Sequence, residues 1–442
     1  MTLRILAVGD IHLGRRPGSV PEDIATAVGG RDALGPREAW RRTVEAAIEE
    51  RVQAVVLLGD VVDDEERYFE GYSALETGLR KLIAAGIEVL AVAGNHDVRV
   101  LPELAKKLSG LRLLGAGGCW EAAEIAHGSA RIVGWSYRTA HALVDPTDDA
   151  TIAELCRVSH AGPTIGLLHG DLDVARSDYA RFSSARLASL GADAWLLGHI
   201  HGPTFARGNR GAVPCGYLGS LTGLDPTEIG VHGPWLLTFE GKSLEEARQL
   251  PIAPLRWARL QVAVDAWNQA DELQGAITGA LQDFEARERS KLGGVRAVGL
   301  RFELVGRSRF HRELRAAIER FPSESLRPVI EERLYFVDAV LDHASPALDL
   351  AELARQSDPP GLLAQRVLAL AGGSDAPTIA AERGRLVHLA RRELERLASQ
   401  TGFQSLRRDE ISDDVLANEL RVAGLTALDD LLATRRDREV ST

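Results

Sequence analysis

Ile5-Leu6-Ala7-Val8-Gly9-Asp10-Ile11-His12-Leu13-Gly14 is an unbroken apolar run that stops at a glycine and then offers a carboxylate and an imidazole two residues apart. An unbroken run, unlike an alternating one, reads as a strand buried on both faces. The same arrangement returns four times. Ala54–Leu58 leads to Gly59-Asp60, Val89–Ala93 to Gly94-Asn95-His96-Asp97, Ile165–Leu168 to His169-Gly170, and Ala194–Leu197 to Gly198-His199-Ile200-His201. Between the runs lie amphipathic stretches such as Glu38–Arg51 and Tyr72–Ala85, the second followed by Gly86 as a C-cap. The alternation predicts an α/β layered domain up to about residue 250. Ligands of such sheets sit beyond the carboxyl ends of the strands, which is where every one of these polar residues falls.

The residue types form a chemical set. Carboxylates, imidazoles and an amide oxygen suit Mn²⁺, Fe²⁺ or Zn²⁺ better than a thiolate-seeking ion, with Mg²⁺ also accommodated. The i, i+2 spacing in Asp10-x-His12 and His199-x-His201 lets both side chains converge on one side. A carboxylate such as Asp60 is able to bridge two cations about 3.5–4 Å apart, a clamp for in-line displacement at phosphorus. Taken singly, each motif is weak: an Asp after a strand is more often a turn or cap residue. Five of them in order, each at a strand end, leave coincidence as a remote explanation. His127, His141, His160, His232, His311, His343 and His388 show no such pattern and read as ordinary core or surface histidines.

These motifs together resemble the calcineurin-like metallophosphoesterase superfamily. The resemblance implies a four-layer β-sandwich flanked by helices rather than a Rossmann sheet. It implies two divalent ions, Mn²⁺ foremost, one held by Asp10, His12, Asp60 and His201, the other by Asp60, Asn95, His169 and His199. His96 would be the general acid beside the leaving oxygen, with Asp97 as its orienting partner. The opening Gly9–Gly14, Leu197–His201 and Tyr217-Leu218-Gly219-Ser220 look most like the SbcD-type DNA-repair nucleases, and Gly223–Pro226 with Gly230–Gly233 most like their YhaO-like branch. Leu218 departs from the family's Tyr-Pro-Gly. The implied activity is Mn-dependent endo- or exonucleolytic cleavage of DNA beside an SMC-like ATPase subunit similar to SbcC. Relatives are commonly homodimers, and nothing in the sequence marks a dimer interface.

After Pro251 and Pro254 the pattern changes. Leu260, Val262 and Val264 alternate, Leu273, Ile277, Leu281 and Phe284 share a helical face, and Val298, Leu300, Phe302 and Leu304 alternate again. A helix over His311–Arg320 and a strand over Leu334–Leu341 complete a small α+β domain at 255–345, where the resemblance implies a DNA-facing cap. Its Arg296, Arg301, Arg307, Arg309 and Arg312 are candidates for phosphate contacts. From Ser357-Asp358-Pro359-Pro360 onward strand signals vanish. Helices are predicted over Gly361–Leu370, Ile379–Gln400 and Asp413–Ala433, with a link at Ala371-Gly372-Gly373-Ser374. This helical region, 346–442, is the expected docking element for the ATPase.

Composition sets the outer bounds. With 442 residues, two or three domains are expected. The net charge of −11 sits badly with nucleic-acid binding, but two divalent cations would supply four positive charges where phosphate must lie. Three scattered cysteines argue against a disulfide framework. No apolar stretch approaches the ~18–20 residues that span a bilayer, and Met1–Asp10 lacks the features of a signal peptide, so the expected compartment is the cytoplasm and no membrane partner is expected. No nucleotide-binding loop is present, which leaves ATP to a partner. Two rival readings share these residues: a phosphodiesterase or phosphatase for small nucleotides or phosphoproteins, and a non-catalytic scaffold for DNA and an ATPase.

Overall fold

A computed structural model describes residues 2–63, 68–205, 212–322, 326–372, 377–398 and 411–440. Gly373, Ser374 and Gln400, which figured in the expected link and second helix, lie outside the described residues. Two compact units share the chain: Met1–Arg259 with Glu285–Arg301 and Ser323–Ala339, and Leu260–Phe284 with Phe302–Pro322 and Val340–Thr442.

The first unit holds two sheets. Strands β1 (Thr2–Val8), β2 (Ala54–Leu58), β3 (Glu88–Val92) and β4 (Leu111–Leu113) run parallel to one another. The antiparallel pair β10 (Trp235–Glu240) and β11 (Ser243–Gln249) extends that sheet on the β1 side. The second sheet has the order β5 (Trp120–Ile125), β6 (Ala130–Trp135), β7 (Thr164–His169), β8 (Ala194–Gly198), β9 (Cys215–Tyr217). Alternation along β1 explains the layering. Leu3, Ile5 and Ala7 pack with Ile132, Ile165 and Leu196 of the other sheet, while Leu6 and Val8 pack with Trp40, Val44, Leu75 and Leu79. Those last four come from helices α2 (Pro36–Glu49) and α3 (Tyr68–Ala84). The outer face of the second sheet carries Trp195 and Leu197 against Ile152, Cys156 and Leu187, from helices α5 (Ala150–Arg157) and α6 (Ser184–Ser189). Helix, sheet, sheet, helix is the four-layer arrangement that the family resemblance implies. Two shorter helices, α1 (Glu22–Ala27) and α4 (Leu101–Lys107), belong to the same unit.

The runs read as buried strands are buried throughout: every residue of β2, β7 and β8 is inaccessible. Gly86 takes φ +76° and closes α3, with Ile87 N–H donating to Leu82 O at 3.0 Å. Four strands, β12 (Leu255–Ala263), β13 (Ala297–Ser308), β14 (Val329–Ile330) and β15 (Arg333–Pro346), form a further sheet in the order β12-β13-β15-β14. It is accompanied by α7 (Leu273–Glu288) and α8 (His311–Glu319), the β-α-β-α-β sequence expected, with the short β14 added.

The second unit ends in helices α9 (Leu350–Leu353), α10 (Pro359–Ala371), α11 (Pro377–Ala398) and α12 (Asp413–Val440). The proline pair that marked the change of composition is the first turn of α10, where missing N–H groups cost nothing, and Asp358 caps it by accepting from Gly361 N at 2.9 Å. His311 at the start of α8 is buried between two acids, with Nε2 3.4 Å from Asp342 and Nδ1 3.3 Å from Asp429 of α12. The hydrogen bonds to Asp342 and Asp429 push its pKa up to about 9 from an ordinary 6.5. A raised histidine pKa stabilises the fold fully below about pH 6.5 and ceases to do so as pH climbs through 9. Allowing for screening at the partly exposed acids, the contribution is about 1–2 kcal/mol. Urea unfolding should therefore show wild type losing that margin over His311→Gln between pH 6 and pH 10; a margin independent of pH contradicts the pairing.

Candidate metal centre

The five strand ends meet. Asp10, His12, Asp60 and His169 are at most 2% exposed and form a floor, and Asn95, His96, His199 and His201 stand half-buried around it. The loops are stitched by backbone bonds: Asp60 O accepts from Ile11 N at 3.0 Å and His12 N at 2.8 Å, and Asp10 O accepts from Leu221 N at 3.1 Å. Three candidate ligands pay for their positions with left-handed backbone, His12 at φ 54°, Asp60 at 48° and His199 at 107°. Such strain in non-glycine residues clusters at functional sites.

Donor atoms converge in two overlapping groups, Asp10 with His12 and His201, and Asp10 with Asp60 and His169, each mutually within 4.8 Å. His12 Nε2 lies 3.1 Å from His201 Nε2 and 3.9 Å from Asp60 Oδ2. His169 Nε2 lies 3.5 Å from Asp60 Oδ2 and 3.1 Å from Asn95 Oδ1, while its Nδ1 faces Leu58 O at 2.8 Å. His199 joins through its ring, 5.2 Å from that of His169, and its amide donates to Asp10 Oδ1 at 2.9 Å. All seven expected ligands are thus in one place, with Asp10 shared by both groups and Asp60 facing His12 and His169.

The residues present fit divalent cations. Buried carboxylates and imidazole nitrogens facing one another at these distances are costly in a dry site unless a cation lies among them. Burial pushes the Asp10 carboxyl up, whereas imidazoles of His169, His12 and His96 outweigh burial at Asp60 and hold it low. His12 Nδ1 is buried without a hydrogen-bond partner, 3.7 Å from the Asp63 carboxylate. The glycines are needed for this closeness. Gly59 has φ +87°, and a Cβ there would sit 2.5 Å from His169 Nδ1. A Cβ on Gly94 would overlap the Asp60 carboxylate and lie 2.8 Å from Asp60 N. Gly94→Ala is accordingly expected to lose about 1–3 kcal/mol of stability and most cation binding; unchanged calorimetric titration with divalent cation would contradict this packing.

His96 stands at the rim, its ring 5.3 Å from that of His12, and its amide donates to Asp60 Oδ1 at 2.9 Å. Asp97 differs from expectation. Its two oxygens accept from Gly94 N at 2.8 Å and Val61 N at 2.7 Å, so it braces the loop backbone and not the His96 imidazole. Burial and the Asp60 charge push its pKa up to about 7.

Calcineurin-like phosphoesterases match residues 3–203. The chain carries a calcineurin-like phosphoesterase domain. Residues 257–340 match a second family, the middle domain of metallophosphoesterase YhaO, and the resemblance to the YhaO-like branch is borne out. The metallophosphoesterase YhaO of Bacillus subtilis, named as uncharacterized, is 29% identical over 207 residues, 45% of this chain and 48% of that protein. The DNA double-strand break repair protein Mre11 of Aeropyrum pernix is 28% identical over 244 residues, 52% of this chain and 56% of that one. The Mre11 of Haloferax volcanii is 34% identical over 94 residues, 21% of this chain and 19% of that one. The chain thus aligns with about half the length of the first two relatives. The phosphoesterase fold implies a dinuclear divalent-cation site, for which the clustered donors are the candidates.

Around the expected ligands stands an outer set of residues. Glu228 Oε1 lies 2.9 Å from His201 Nδ1, and Asp171 Oδ1 lies 3.5 Å from His199 Nε2. Asp63 is fully buried and pairs with Arg15 at 2.5 Å. Tyr179 lies against His199 with ring centroids 4.9 Å apart. Glu228 and Tyr179 follow no long apolar strand, whereas Asp171 stands two residues beyond β7, in a position comparable to the ligands themselves. His232 is a buried, hydrogen-bonded core histidine as read, though its partners are Ser220 and Glu228. Among the arginines proposed for phosphate, Arg296 donates to Val28 O at 2.8 Å and Arg301 binds Asp338 at 2.6 Å, so both are engaged within the fold; Arg307 and Arg309 remain exposed.

Proposed function

We propose that the chain hydrolyses phosphodiester bonds in DNA, using two divalent cations, Mn²⁺ foremost on the family resemblance, with Fe²⁺, Zn²⁺ or Mg²⁺ also compatible with the donors. The observation that carries this is the convergence of Asp10, His12, Asp60, His169 and His201 donors, with Asn95 and His199 beside His169, from five strand ends within a phosphoesterase domain. One ion would be held by Asp10, His12, Asp60 and His201, the other by Asp60, Asn95, His169 and His199. Bound there, the ions supply Lewis-acid charge to the phosphate and lower the pKa of the attacking water. His96 gives a proton to the departing sugar oxygen, its backbone held by the hydrogen bond that its N–H donates to Asp60 Oδ1. Asp97 keeps the Asn95–His96 turn rigid by binding Gly94 N and Val61 N.

DNA is favoured over a small phosphodiester for two reasons. The relatives named as Mre11 are DNA double-strand break repair proteins, and a small substrate has no evident need of residues 255–442. We read residues 1–250 as the phosphoesterase domain, 255–345 as a DNA-facing cap with Arg307 and Arg309 against phosphates, and 346–442 as a docking region. In that last region α10, α11 and α12 line an apolar groove of about 850 Å³ with Leu370, Leu386, Leu394, Leu397, Leu416 and Leu420, suited to a helix of an SMC-like ATPase. A homodimer and a cytoplasmic location belong to the same reading. Among the described residues no helix is long and apolar enough to cross a membrane.

The test is a Mn²⁺-dependent assay on linear duplex DNA, single-stranded DNA, a cyclic dinucleotide and bis(p-nitrophenyl) phosphate. Cleavage of the DNA substrates is expected. Cleavage confined to the small esters overturns the DNA reading, and no cleavage of any substrate favours the scaffold.

A further inference from the structure

We infer that Glu228 is a positioning residue for the cation centre: its carboxylate fixes the His201 tautomer that leaves Nε2 free to bind a cation. This rests on the proposed centre and names a residue outside it. Glu228 belongs to the loop between β9 and β10, which no strand pattern singles out, and its side chain is only 8% exposed. Both of its oxygens are spoken for. Oε1 lies 2.9 Å from His201 Nδ1, and Oε2 lies 2.9 Å from Ser220 Oγ and 3.1 Å from the Leu224 amide.

A carboxylate only accepts, so the His201 nitrogen facing it must carry the proton. With Nδ1–H committed, the lone pair of the neutral ring is on Nε2, which points to His12 Nε2 at 3.1 Å and into the Asp10–His12–His201 group. Outer partners of this kind set the orientation and basicity of a ligating histidine. Glutamine is a poor substitute here. If its oxygen keeps His201, its NH₂ faces the Leu224 N–H, a donor against a donor that the backbone has no means to reverse.

Glu228 is itself held from both sides. Its carbonyl oxygen lies 3.0 Å from His232 Nε2, and His232 Nδ1 lies 3.0 Å from Ser220 Oγ. The flanking backbone is fastened to Trp257: the indole Nε1–H donates to Gly223 O at 3.2 Å, and Gly230 N–H donates to Trp257 O at 3.1 Å. Trp257, at the start of the YhaO-type match, thus anchors the loop that aims a candidate ligand.

Calorimetric titration of the full chain with Mn²⁺ tests this, comparing wild type with Glu228→Gln. Wild type should bind two ions, and the variant should bind one of them about 10–100-fold more weakly with the other unchanged. Equal affinities for both ions in wild type and variant overturn the role of Glu228. Wild type that binds no divalent cation overturns the centre itself. Should the variant fail to fold, ¹⁵N-histidine NMR of wild type loaded with diamagnetic Mg²⁺ decides the matter. A proton on His201 Nδ1 is expected, and a proton on Nε2 refutes the inference.

Discussion

Asp60→Ala is expected to release both cations and to lower phosphodiester hydrolysis by about 10³-fold or more. Asp60 faces histidines of both proposed ligand sets. Its Oδ2 lies 3.5 Å from His169 and 3.9 Å from His12, and its Oδ1 accepts from the amide of His96. Its carbonyl also accepts from Ile11 N and His12 N. The side chain alone is removed by the substitution, so the backbone bonds that join the β1 and β2 loops survive, and the fold should survive with them. The size of the effect follows from the cations: charge stabilisation at the transferred phosphate is worth several kcal/mol, and about 1.4 kcal/mol is tenfold in rate. Metal analysis after equilibrium dialysis checks the first half of the prediction and initial rates the second. A variant that retains two ions per chain removes Asp60 from the bridging role.

His96→Ala should have the next largest effect and a different signature. Two ions should remain bound while turnover on DNA falls about 10²–10⁴-fold, the usual worth of a positioned acid. The ring stands at the half-exposed rim, 5.3 Å from that of His12, and only its backbone is tied to Asp60. Removing the imidazole therefore leaves the cluster's own donors in place. The loss should shrink on bis(p-nitrophenyl) phosphate, because nitrophenolate departs without needing a proton. An equal loss on both substrates would show that His96 does something other than protonate the leaving oxygen.

Most of the centre was legible because its residues follow fully buried strands. β1, β2, β3, β7 and β8 lie inside the layers, so their apolar runs are unbroken and the polar residues that end them stand out. The strands that escaped notice lack that signature. β11 reads Ser-Leu-Glu-Glu-Ala-Arg-Gln because it is an edge strand with most side chains in solvent, and β9 is three residues long. The same limit hides Glu228, which reaches His201 from a loop 27 residues away; Asp171 follows β7 by two residues and carries the strand-end signature itself. Asp97 shows a related limit: it is adjacent to His96 in sequence, yet its carboxylate turns to the amides of Gly94 and Val61.

Charge and chemistry are reconciled at the same place. The chain's net charge of −11 opposes a polyanion, and the acids at the floor of the centre oppose a phosphate most strongly of all unless cations cover them. The centre and any activity on DNA therefore stand or fall on the cations. Anomalous diffraction from crystals grown with Mn²⁺ tests this most directly. Two peaks are expected, one among Asp10, His12, Asp60 and His201 and one among Asp60, Asn95, His169 and His199, with Asp60 touching both. A single peak, or none within this cluster, contradicts this.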